Sequence, residues 1–121
     1  MYRFPNRARL GFLIDAELSL IVLRPDRIEF RFVGGACVAV QYRVEYVDGS
    51  GRRHAHEPQL QMRPDPIQFH QLIGERIADL ELEPLRLTLI FRSGRQLSIL
   101  SNEGADEAGQ ISHPATELIA F

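Results

Sequence analysis

The chain has 121 residues, enough for one domain with a real core. Its 45% apolar and 25% charged residues exclude wholesale disorder. A formal net charge of −2 leaves no clustered positive field for nucleic acid or an anionic membrane surface.

The segment before Leu10 is too polar to open a signal peptide. The apolar run Leu18 to Leu23 is broken by Ser19 and far too short to cross a bilayer, so no membrane association is expected. Within that run Leu18, Ile21 and Leu23 are spaced three and then two, which a β-bulge would bring onto one face of a strand. Pro25 ends the strand. Ile28, Phe30 and Phe32 then alternate with Arg27, Glu29 and Arg31, the period of a strand with one buried face. Val33-Gly34-Gly35 reads as a three-residue hairpin loop, which pairs Phe30 with Val38.

Val38, Val40, Tyr42, Val44 and Tyr46 continue the alternation and predict one long third strand. Asp48 to Gly51 is a turn, and His54 to Met62 reads as a ragged edge strand returning from it. Asp65-Pro66-Ile67-Gln68 has cap chemistry, so one short helix is expected near 66–74, stopped by Gly74. No equivalent cap precedes Leu13, and no matching helix is expected there.

A shift of the chain by 59 positions then repeats the first pattern without a gap, with Leu13 on Leu72, Pro25 on Pro84, Arg27 on Arg86, Phe32 on Phe91 and Gly35 on Gly94. Ile77, Leu80 and Leu82 carry the same irregular spacing, with a bulge near Ala78-Asp79. Arg92-Ser93-Gly94 forms a loop pairing Leu89 with Leu97 and Leu87 with Ile99. Residues 101–110 read as an acidic loop. Leu118, Ile119 and Phe121 are expected to pack on the core as a last strand.

The expected fold is mainly β. Two pseudo-twofold-related three-strand units, at about 13–41 and 72–100 of a single domain spanning 1–121, form a sandwich or an open barrel.

These motifs resemble a family of small uncharacterised bacterial proteins. Its two repeats open with Leu-(Leu/Val)-Gly-x-x-Val, continue into a hairpin, and end in a late Tyr-Glu-(Ala/Ser) segment. Leu72-Ile73-Gly74-Glu75-Arg76-Ile77 looks like the second opening, while Asp15 stands where the first would have glycine. Asp106-Glu107-Ala108 looks like the late segment, with Asp106 in place of the aromatic. The resemblance implies a fold and a bacterial context, which the all-arginine basic set also suits. It implies no activity, and an immunity-type role against a toxin only for a minority of such domains.

The sequence holds no phosphate-binding glycine loop and no nucleophile elbow. His54 and His56 would share a strand face and could reach one metal ion, with His70, His113 or Glu57 as a third ligand; a solvated edge is the favoured reading. Cys37 cannot form an internal disulfide and reads as an inert packed thiol in a reducing, cytoplasmic compartment. Glu103, Asp106 and Glu107 are the one dense acidic group and, with Arg86, the candidate binding residues; Arg27 and Arg86 are expected to meet carboxylates across the pseudo-twofold axis.

No cofactor and no catalytic constellation is indicated. The expectation is therefore a non-enzymatic protein-interaction module, immunity-type or accessory, binding another protein through the acidic loop or an open strand edge. A small-ligand or metal site, or weak catalysis, in the cleft between the repeats is the alternative. Self-association through the edge near His54 would give a homodimer.

Overall fold

Among the described residues the alternating segments pair into ten antiparallel strands in two five-stranded sheets, with a 3-10 helix ahead of each meander. The computed structural model describes residues 3–59, 68–102 and 106–121. The strands are β1 (Leu18–Leu23), β2 (Ile28–Phe32), β3 (Cys37–Val40), β4 (Arg43–Val47), β5 (Arg53–His56), β6 (Ile77–Glu83), β7 (Arg86–Phe91), β8 (Gln96–Leu100), β9 (Gly109–Ser112) and β10 (Ile119–Ala120).

Local chemistry sets each meander as expected. Phe30 faces Val38, and Leu89 faces Leu97 with Leu87 opposite Ile99. In the second hairpin the Gly94 amide bonds to the Phe91 carbonyl, with Gly94 at φ 92°, so a left-handed residue closes the loop. In the first loop Gly34 and Gly35 are both left-handed, at φ 95° and 100°. The bulge expected near Ala78 is present as a register shift between Ile77 and Asp79. Its counterpart lies between Leu18 and Leu20.

The third strand is not continuous. It breaks at Gln41-Tyr42, whose two amides both bond to the Ala108 carbonyl, and Tyr42 is exposed. There the chain leaves one sheet for the other. Sheet 1 has the order β1-β2-β3-β9-β10, and sheet 2 the order β5-β4-β8-β7-β6. Each repeat is thus a meander plus a hairpin, and each gives its hairpin to the other repeat's sheet. Val40 faces Gly109 as Ile99 faces Val44, and Ile111 faces Ile119 as Tyr46 faces His54. The hairpins therefore correspond at a shift of 65. Even their turns match: the Ser50 amide bonds to the Asp48 side chain (2.9 Å) and the Ala115 amide to His113 Nδ1 (3.1 Å).

The pseudo-twofold axis is visible in the bonding. Asp15 N–H donates to Ile77 and Gly74 N–H to Leu18; Ile77 N–H donates to Ala16 and Leu18 N–H to Glu75. Glu17 bridges Arg76, its own repeat-mate, and a residue paired with its mate must sit at the axis. Gly74 is left-handed at φ 92°, and Asp15 takes the same conformation at φ 65°, the one such non-glycine among the described residues. Aspartate tolerates that region better than most side chains, so the seat survives without its glycine.

The buried core lies between the sheets. Ile28, Phe30, Val38 and Ile111 meet Leu87, Leu89, Leu97 and Tyr46, all at 0% exposure. The 3-10 helices Arg7–Leu13 and Phe69–Leu72 bury Leu10 and Leu13, and Phe69 and Leu72, at matching repeat positions. The first of these was not expected. Asn6 caps it by accepting the Arg9 amide at 3.2 Å, a signal sitting outside the recognised repeat. The cap expected at Asp65–Ile67 lies outside the described residues, and the element that follows is one 3-10 turn. Ile119 and Phe121 pack as expected, whereas Leu118 is 58% exposed.

Candidate functional site

The two meanders start from the same pattern and differ on their outward faces. At the shift of 59, Leu20, Val22 and Arg24 correspond to Asp79, Glu81 and Glu83. Among the described residues both strands end their sheets, so β1 and β6 occupy equivalent edges. On β6 the edge is guarded. Its outward side chains are carboxylates, and Arg7 reaches across from the first 3-10 helix to bond the Leu80 carbonyl and, at 2.5 Å, Asp79. That bond holds the Asp79 carboxyl below its usual range.

Among the described residues the β1 edge has none of this. Leu20 is 47% and Leu23 69% exposed. The Arg24 amide bonds to the Arg27 carbonyl at 2.9 Å, so by the alternation of an antiparallel ladder the amides and carbonyls of Ile21 and Leu23 point away from β2. Among the described residues nothing bonds to that outer edge. An apolar edge with outward-pointing backbone groups is a template for another strand.

Beside it lies the largest charge cluster of sheet 1. Glu29, 3% exposed on the outward face of β2, receives Arg24 Nε at 2.9 Å and Arg31 at 2.6 Å, with Arg27 Nε 2.9 Å away. The three guanidiniums keep 39–46% exposure. Burial pushes the Glu29 carboxyl up, but the hydrogen bonds from Arg31 and Arg24 and the charges of Arg27 and Arg31 outweigh it, leaving it below its usual range. Because the folded value is depressed, this stabilisation is present above the unfolded value of about 4.3 and is lost as pH falls through the folded one. Urea midpoints should therefore fall more steeply on acidification for the native chain than for Glu29→Gln. The two should converge once pH has fallen below the folded value, and parallel curves would refute the assignment. Arg27 meets Glu29 on its own strand, not a carboxylate across the axis.

Sheet 2 has no such cluster, since Thr88 replaces Glu29 and Ile90 replaces Arg31. Its outward face forms a polar trough of about 490 Å³ floored by Thr88 and Ser98, which bond each other at 2.9 Å. Arg86 pairs there with Glu45 of the other repeat at 2.9 Å, and Arg43 pairs with Glu45 and Glu57 at 3.1 and 3.0 Å. Arg43 and Arg86 are thus spent on Glu45 and Glu57.

Of the remaining candidates, Arg86 lines a surface pocket with Ser101 and Asn102 at the start of the acidic stretch. Glu103 lies outside the described residues, Asp106 is exposed, and Glu107 bonds Gln110 at 3.2 Å. His54 and His56 do share a face, but it is the inward one. His54 Nε2 meets Asp48 at 3.0 Å, a bond that holds the Asp48 carboxyl far below its usual range, and His56 lies against Phe69, where burial lowers its pKa. No group of three metal-capable side chains occurs among the described residues. The β5 edge is short, at four residues, and its part beyond Gln59 falls outside the described residues. Cys37 is half-buried, and burial raises its thiol pKa.

Sequence reading saw Arg27, Glu29 and Arg31 only as a polar face. The available signal was the comparison of the two outward faces at the shift of 59. No helix among the described residues is long and apolar enough to cross a membrane. No protein-family model, curated protein or solved structure matches the chain.

Proposed function

We propose that the protein is a non-enzymatic interaction module that adds an extended segment of another protein to the free edge of β1. The observation that carries this reading is the contrast between the repeats. Among the described residues, the β6 edge is defended by Asp79, Glu81, Glu83 and Arg7, while the equivalent β1 edge keeps Leu20 and Val22 and two unspent pairs of backbone groups. Strand addition draws affinity from those backbone groups and specificity from alternate side chains. A partner segment rather than a second copy is favoured by the surplus of positive charge beside the edge, which suits a negative occupant.

The double substitution Leu20→Asp and Val22→Glu gives β1 the guard that β6 already has. Both side chains point outward, so stability should change by no more than about 0.5 kcal/mol. Peptides selected from a displayed random library on the native chain should slow hydrogen exchange at the Ile21 and Leu23 amides, and should lose binding to the double variant. Selected peptides that protected sheet 2's trough instead, or that bound the variant equally, would refute the proposal.

A further inference from the structure

We infer that the segment received by β1 carries a carboxylate beside Arg24 and apolar residues beside Val22 and Leu20, a pattern of acid-x-apolar-x-apolar; this rests on the strand-addition reading. An incoming strand lies about 4.8 Å from β1, and its side chains alternate faces with the same period. Three of its outward residues therefore fall alongside Leu20, Val22 and Arg24. The first two offer apolar surface. The third offers a guanidinium that Glu29 has already fixed in place.

Glu29 is the organising residue. One buried carboxylate gathers Arg24, Arg27 and Arg31, which leaves a surplus of two positive charges on half-exposed groups. Asp26, in the turn between Arg24 and Arg27, makes no ion pair with them and is exposed. Arg27 Nε is buried and lacks a well-formed hydrogen bond although Glu29 is 2.9 Å away, so the single carboxylate does not satisfy all three guanidiniums. A second carboxylate is what the cluster lacks, and a guanidinium held in place loses less entropy when it binds one. The second repeat serves as an internal control. With Thr88, Ile90 and Glu83 at the matching positions, it keeps Arg86 and binds it to Glu45 instead. The cluster is thus a feature of one edge and not of the repeated fold.

The test uses the full chain and blocked hexapeptides that alternate threonine and valine and end, at one terminus or the other, in glutamate, glutamine or lysine. Titration by fluorescence anisotropy should show the glutamate peptide binding at least about 10-fold more tightly than the glutamine peptide at low salt, and the advantage should shrink at 0.5 M salt. Arg24→Gln should erase the advantage, so that glutamate and glutamine peptides bind this variant equally. Equal affinity for the glutamate and glutamine peptides, with both lost in the Leu20→Asp, Val22→Glu chain, would overturn this inference and leave the edge reading standing. Binding of none of the peptides would overturn both. Inorganic phosphate bound through Arg24 without any peptide preference would mark a plain anion site and overturn the inference. A native dimer in sedimentation that the double variant abolishes would do so too, since the occupant would then be a second copy.

Discussion

Gly109→Ala is expected to destabilise the domain by about 3 kcal/mol or more, enough to unfold a chain of ordinary stability. A Cβ at Gly109 would overlap the carbonyl oxygen of Ala39 and the ring of Phe121, whose Cε2 would stand at 2.8 Å. The Ala39 carbonyl belongs to β3, the strand against which β9 pairs, so relief would mean parting the two strands. Phe121 is fully buried, stacked on Phe4 at 4.6 Å, and its carbonyl accepts the amides of Ala108 and Gly109. At the equivalent place in sheet 2 stand Val44 and His56. Adding Phe121→Ala removes the ring clash and leaves the carbonyl clash, so the double variant should stay well below Phe121→Ala alone. Urea midpoints at constant slope would measure both, and a folded Gly109→Ala of native stability would show that β3 and β9 do not approach as described.

Phe30→Ala should cost about 3–5 kcal/mol, and Leu89→Ala, its repeat-mate, about 2–5 kcal/mol. Both side chains are at 0% exposure. Phe30 lies opposite Ile21 and Val38 and meets the edge of Phe69 at 5.8 Å, so truncation opens a cavity bordered by both sheets and a 3-10 helix. Leu20→Ala, two strand positions from the same core, should change stability by no more than about 0.5 kcal/mol. Similar losses for Phe30→Ala and Leu20→Ala in urea unfolding would mean that the assignment of faces in β1 and β2 is wrong.

The meanders were legible because their signals are local. Alternation fixes which face is buried, Gly35 and Gly94 fix loop length and hence register, and the three-then-two spacing fixes the bulge. The exchange of hairpins was not legible. The correspondence moves from 59 to 65 between β8 and β9, where the second repeat has six more residues, so an ungapped comparison ends before it reaches the hairpins. Tyr42 kept the alternation in letters while the backbone turned from one sheet to the other, a change that only packing decides.

For the site, the acidic stretch drew notice because its charges are consecutive. The arginines that matter are spread over Arg24, Arg27 and Arg31 and converge only when β2 puts Glu29 between them. The bareness of β1 was hidden in the same way. Leu20 and Val22 read only as the other face of a bulged strand until its place at the end of a sheet is known.

Because each sheet takes its last two strands from the opposite half of the chain, neither can be finished during synthesis until the ribosome has delivered most of the polypeptide. Sheet 1 waits longest, since β3 must hold an open flank until β9 emerges about seventy residues later. A nascent chain halted before β9 would therefore display two raw strand margins at once, and that arrested stage is where chaperone demand and misassembly between neighbouring chains should concentrate.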